Sequence, residues 1–213
     1  MFEIFLFINP TGIYCYDTER RIKETIQRLN IDTCYHFVPI TSMNIIKDDI
    51  IRRHQDEQKT CGLSYYTLTA NQALQIYHAI KLAYGNKKAR TFLFNLQQKM
   101  TTDSSCFSVC LVKEIILNLG LNYKDVQSLA ESDYVQNSIK QDRKLAEQWK
   151  IHKTPTTIIF NEEDDNDYGF LLEGVINQDE LTTLLTPASP KIEATENTNI
   201  SNVFSGNSHL HLI

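Results

Sequence analysis

The sequence predicts an α/β protein whose small sheet is split in two by a long helical block. Three observations predict it. Strand, helix and strand signals follow one another within the first 40 residues. Strand signals then stop for more than 100 residues while helical periodicity persists, and they return only near Thr156. A strand–helix–strand unit needs further strands to complete its sheet, so the helices between must be an insertion that packs on the sheet and over its rim.

Each element has its own signal. Phe2 to Ile8 is a short apolar, aromatic run ended by Asn9-Pro10, which reads as a strand. Cys15 to Asn30 places Ile22, Ile26 and Leu29 on one helical face. Thr33 to Ile40 is a second strand. Helices are expected over Asn44–Lys59, Thr69–Tyr84 (closed by Gly85-Asn86), Lys87–Met100, Cys106–Leu119 (ended by Gly120), Asn122–Glu131 and Asp133–Lys150. Strands follow at Thr156–Phe160 and Phe170–Leu172, then a last helix at Asn177–Leu185. One domain over residues 1–185, with its insertion at about 44–150, accounts for this order.

Composition removes several function classes. The formal net charge is −5, so the basic footprint of a nucleic-acid binder is missing. No apolar run reaches the roughly 18–20 residues of a membrane helix. The start, MFEIFLFINP, carries Glu3 and lacks the basic region of a signal peptide, so a cytoplasmic location is expected. The cysteines, Cys15, Cys34, Cys61, Cys106 and Cys110, are odd in number and scattered, unlike a disulfide framework. Cys106 and Cys110 share a helical face with Leu111 and Ile115 nearby and are expected in the core. No histidine is close to them in sequence, so no metal and no cofactor is expected. The acidic run Asn161–Gly169 holds Glu162, Glu163, Asp164, Asp165 and Asp167, but Tyr168 and Val175 stand where a calcium loop needs oxygen ligands. It reads as a solvated hairpin loop. Half of residues 186–213 are Ser, Thr, Asn, Pro or Gly, too polar to offset their ordering entropy, and are expected as a disordered tail.

Two motifs carry the chemistry. At the end of the first strand stands Asn9-Pro10-Thr11-Gly12-Ile13-Tyr14-Cys15-Tyr16, and after the insertion Lys153-Thr154-Pro155-Thr156 precedes the strand TIIF. Their pairing, with the helical insertion between them, resembles the DsbA-like branch of the thioredoxin fold, whose motif is D-P-x-C-P-x-C-Y and whose Thr-Pro-Thr proline is cis. The segments FLFNLQQKM, QSLAESDYVQNSIKQDRKLAEQW and KTPTTIIFNEE are further similar to the Spx-directed ClpXP adaptor family. That resemblance, over roughly residues 2–185, implies a cytoplasmic stress-response adaptor that binds a Spx-like regulator and ClpX, with neither membrane nor nucleic acid as a partner.

The residues bear on that implication directly. Thiol–disulfide exchange begins with a thiolate attacking a disulfide, and the first cysteine of C-x-x-C is the attacker. Gly12 occupies that place, so no mixed disulfide forms there and no residue is expected to be catalytic. Cys15 has two readings: a monothiol or redox sensor favoured by the helix dipole, or a small buried apolar residue. Asn9 replaces an acid and carries no proton for exchange. Pro155 either shapes its loop or, as the resemblance implies, borders a surface that pairs with an extended peptide. On that second reading Gly12, Ile13, Tyr14, Thr154 and Pro155 form an open, non-reactive partner-binding surface. The enzymatic alternative, a thiol–disulfide oxidoreductase or isomerase, lacks its attacking sulfur.

Overall fold

The computed structural model describes residues 1–56, 61–102, 106–162, 168–186 and 200–205. Among the described residues, five strands form one sheet: β1 (Phe2–Ile8), β2 (Thr33–Pro39), β3 (Thr156–Asn161), β4 (Tyr168–Glu173) and β5 (Ile200–Ser205), in the order β2-β1-β3-β4-β5. β1 pairs parallel to β2, with Phe2 opposite Thr33, and antiparallel to β3, with Phe5 opposite Ile158. Every residue of β1 is buried, as befits a strand covered on both faces. Ile4, Leu6 and Ile8 point to one core with Ile22, Leu181 and Leu184. Phe5 and Phe7 point to a second, with Leu145, Trp149 and Phe160.

The helices are α1 (Ile13–Leu29), α2 (Met43–Gln55), α3 (Leu63–Tyr84), α4 (Asn86–Thr102), α5 (Val109–Asn118), α6 (Tyr123–Ala130), α7 (Asp133–Gln148) and α8 (Gln178–Leu184). Helices α2–α7 are the insertion between β2 and β3. Side-chain caps set several starts: Ser42, Ser108 and Ser132 each accept the N–H three residues on, and so end the search for a partner at the first turn. Gly85, at φ +86°, lets the chain turn from α3 directly into α4. Among the described residues, no helix is long and apolar enough to cross a membrane.

Three expectations are corrected. Cys106 and Cys110 are exposed, not core. Ser108 caps α5 and leaves Cys106 outside it, and the buried stripe is Leu111, Val112, Ile115 and Ile116, which puts Cys110 on the solvent side. Helix α3 begins at Leu63 rather than Thr69, because burial of Tyr66 against Ile46 and Ala70 outweighs the weak helix preference of Ser64–Thr67. Within the expected disordered tail, Ile200–Ser205 is a strand antiparallel to β4, with Phe170 opposite Val203. Without it β4 would be a bare sheet edge, a row of unpaired N–H and C=O groups. Most of the acidic run, residues 163–167, and the rest of the tail after Thr186 lie outside the described residues.

Candidate functional site

The loop between β1 and α1 meets the loop before β3, as the paired motifs predict. The Thr154–Pro155 bond is cis. Gly12 is the N-cap of α1, at φ −77°, a conformation open to any residue. Its constraint is space: a Cβ there would lie 3.1 Å from Asn9 Cβ and 3.1 Å from Cys15 Sγ. Asn9 is buried, its Oδ1 accepts the Thr11 N–H at 3.3 Å, and its carbonyl accepts the Gly12 N–H at 2.9 Å.

Cys15 is 1% exposed. Burial pushes its thiol up to about 12, against a smaller opposing pull from the Asn9 backbone and the Thr154 hydroxyl. Thr154 Oγ1 makes no hydrogen bond of ordinary geometry, yet it is close enough to Cys15 to ease the thiol's ionisation, which ties the two loops together. Between the readings left open for Cys15, the buried one holds. Desolvation of the thiolate costs more here than the first helical turn returns.

The five residues expected to form an open surface are brought together, but they are not open. Gly12, Ile13, Thr154 and Pro155 are buried, and only Tyr14 is partly exposed. The insertion closes the cleft by taking its backbone carbonyls. Gln97 Nε2 of α4 donates to Asn9 O at 3.0 Å and more weakly to Pro10 O at 3.4 Å. Arg53 Nη2 of α2 donates to Thr11 O at 2.8 Å, and Arg52 Nη2 donates to Thr154 O at 2.6 Å. Arg52 also lies 4.9 Å over the Tyr14 ring and pairs with Asp48 at 2.7 Å. Arg53 pairs with buried Asp49 at 2.7 Å. The Tyr14 hydroxyl donates to Asp56, just past the end of α2.

Sequence reasoning missed Arg52, Arg53, Gln97 and Asp56. Asp48/Arg52 and Asp49/Arg53 are spaced as ordinary surface pairs on a helix, and nothing local distinguishes them from a solvated face. Gln97 had one signal: it is a polar residue beside Leu96 in an apolar stripe, where a buried amide must find partners.

A second buried polar cluster lies inside the insertion. His78 Nδ1 meets Ser138 Oγ at 2.8 Å, and Nε2 faces Asp142 Oδ2 at 3.6 Å. Burial holds His78 down at about 3 and raises Asp142 to about 6. The residues have the types of a hydrolytic triad, but His78 is fully enclosed, so the group serves to join α3 to α7.

The family model described as Thioredoxin matches residues 5–183. A curated relative, the ClpXP adapter protein SpxH of Staphylococcus haemolyticus, is 24% identical over 147 residues, 62% of this chain and 55% of that protein. The chain therefore spans about half the length of that relative. Among solved structures, a putative protein disulfide isomerase from Nitrosomonas europaea has a TM-score of 0.62 at 14% identity, over 86% of this chain and 95% of that one. A probable DsbA oxidoreductase from Streptomyces coelicolor reaches 0.59 at 9% identity, over 87% and 89% of the two chains. The cytosolic disulfide reductase DsbM from Pseudomonas aeruginosa reaches 0.56 at 11% identity, over 86% and 96%. At these identities the structural likenesses show the fold.

Proposed function

The chain belongs to the thioredoxin family, in its DsbA-like form, and on that premise we propose that it is a cytoplasmic, non-catalytic adaptor that binds a Spx-like regulator and promotes its degradation by ClpXP. The observation that carries the proposal is the loss of sulfur chemistry from a retained scaffold. Gly12 offers no attacking thiol, and Cys15 is buried with its thiol pushed up to about 12. A thioredoxin scaffold without exchange chemistry keeps its other capacity, the holding of polypeptide. The resemblance to a protein named as a ClpXP adapter supports this choice of partners.

On this reading the regulator binds at the rim of a closed cleft. Pairing of a peptide with the Thr154 backbone requires Arg52 to leave the Thr154 carbonyl. The regulator first meets the part-exposed rim, Tyr14 and Arg52, and Ile13, Gly12 and Pro155 become accessible as α2 lifts. The alternative, a thiol–disulfide oxidoreductase or isomerase, draws on the names of the solved neighbours. It needs a nucleophile at Gly12 that the chain lacks.

The test is the half-life of the regulator in a reconstituted reaction with ClpXP. Cys15→Ala, folded by circular dichroism, should deliver as well as wild type, because a buried thiol is replaced at a packing cost of about 1 kcal/mol. Tyr14→Ala, at a part-exposed rim position, should slow delivery several-fold. Loss of delivery in Cys15→Ala alone would reject the binding account, and turnover of insulin disulfides by the wild-type protein would replace it with an enzymatic one.

A further inference from the structure

At the end of β1 away from the cleft, three side chains converge on a single point. Glu3 of β1 lies opposite Cys34 of β2 in the parallel register, and Phe5 lies opposite His36. Alternation along each strand puts Glu3, Cys34 and His36 on one face. His36 Nε2 is 2.9 Å from Glu3 Oε1 and 3.3 Å from Cys34 Sγ, and the three ligand atoms all lie within 4.8 Å of one another. Phe5 stacks flat on the imidazole, with centroids 4.2 Å apart and planes 13° apart, which fixes the ring's orientation.

We infer that Glu3, Cys34 and His36 form a binding site for a borderline divalent cation of the zinc class. The inference is independent of the adaptor role. Glu3 is the one charged residue in the run FEIFLFI and is 8% exposed, so its carboxylate needs compensation. One N–H on His36 Nε2 can serve the carboxylate or the sulfur but not both, because the carboxylate only accepts and the thiol is a poor acceptor. A cation between them uses a lone pair from each of the three. Thiolate, imidazole and carboxylate together select zinc over the harder magnesium and calcium.

The two spacings at His36 fit with little movement, and the Cys34 sulfur and a Glu3 carboxylate oxygen lie within 4.8 Å of each other. Bonds of about 2.3 Å to sulfur and about 2.0–2.2 Å to nitrogen and oxygen, at tetrahedral angles, place ligand atoms about 3.3–3.6 Å apart. The observed 3.3 and 2.9 Å need only a slight opening. Three protein ligands leave a fourth position for water, and the exposed Cys34 gives the ion an entry path. On coordination the thiol passes its proton to solvent.

The experiment titrates the full chain, reduced and stripped of metal, with Co²⁺ as a spectroscopic probe. The expected result is one equivalent bound with a thiolate-to-cobalt charge-transfer band that Zn²⁺ displaces. Cys34→Ser should abolish the band, and His36→Gln should weaken binding roughly tenfold or more, since ligand loss costs at least as much as loss of an outer partner. Cys61→Ser and Cys110→Ser should leave it intact. Because Cys34 is exposed, its serine variant folds, checked by far-ultraviolet circular dichroism. A second reading comes from the melting temperature, which Zn²⁺ should raise in wild type and not in Cys34→Ser. Absence of the band in wild type, or its survival in Cys34→Ser, overturns the site.

Discussion

Cys15 and Cys34 lie near opposite ends of the β1–β2 pair, and their surroundings run opposite to what their sequence contexts promise. Cys15 stands in a redox motif at a helix start, yet it is buried and its thiol is pushed up to about 12. Cys34 stands in an unremarked strand, yet it is exposed and faces a histidine and a carboxylate. Motif position and helix dipole set a tendency of about 1 kcal/mol. Removal of a thiolate from water costs more, so burial decides.

The largest effect that would sharpen this contrast is a gain of function. Gly12→Cys would place its Cβ 3.1 Å from Cys15 Sγ. A disulfide with an S–S bond of about 2.05 Å puts each Cβ about 3 Å from the far sulfur, so this one distance matches that of a closed bridge. The variant should lose two titratable thiols on mild oxidation and reduce insulin disulfides above the wild-type background. If its thiol count is unchanged by oxidation, the spacing is not that of a redox pair. Gly12→Ala, with the same crowding and no bond to form, should instead destabilise by about 1–3 kcal/mol in urea unfolding.

Thiol reactivity compares the two cysteines directly. A thiol raised from 9.0 to about 12 carries about a thousandfold less thiolate at neutral pH. With burial added, Cys15 should react with a thiol reagent only as the protein unfolds, whereas Cys34, Cys61, Cys106 and Cys110 react in the native state. Mass spectrometry of the labelled peptides checks this. Labelling of Cys15 at a rate near that of Cys34 would break the comparison.

Arg52→Ala tests what keeps the cleft closed. It removes the 2.6 Å bond to Thr154 O and the cover over Tyr14. The expected loss is about 1–2 kcal/mol, with faster hydrogen exchange in α2 and faster labelling of Cys15. Unchanged exchange in α2 would show that Arg52 does not hold the helix down.

The smallest effect concerns whether burial governs titration elsewhere. Folding takes His78 from 6.5 to about 3 and Asp142 from 3.8 to about 6. His78's contribution is full above pH 6.5 and is lost as pH falls through about 3. Asp142's contribution is full below pH 3.8 and is lost as pH rises through about 6. Between roughly pH 4 and 6 the unfolded pair carries its proton on His78 and the folded pair on Asp142, so the two slopes cancel. Asp142→Asn should uncover the His78 slope, with the urea midpoint rising with pH across that window more steeply than in wild type. Parallel profiles would contradict the assignment.

Much of this was legible in the chain. The apolar run Phe2–Ile8, the caps at Asn177 and Gly85, and the helical periodicities mark elements through neighbours in sequence. The Gly12 vacancy and the pairing of NPTGIYC with KTPT located the cleft for the same reason, since each motif is contiguous. The sequence by itself determined the order of elements, the α/β class with its insertion, and the absence of an attacking sulfur. Only the tertiary structure decided that Cys15 is desolvated, that Arg52 occupies the Thr154 carbonyl 102 positions away, and that Glu3 meets His36 33 positions away. It also decided that Ile200–Ser205 closes the edge of β4. Propensity and periodicity act between residues a few positions apart, whereas burial and pairing depend on which distant segment comes to rest alongside, and no local pattern records that.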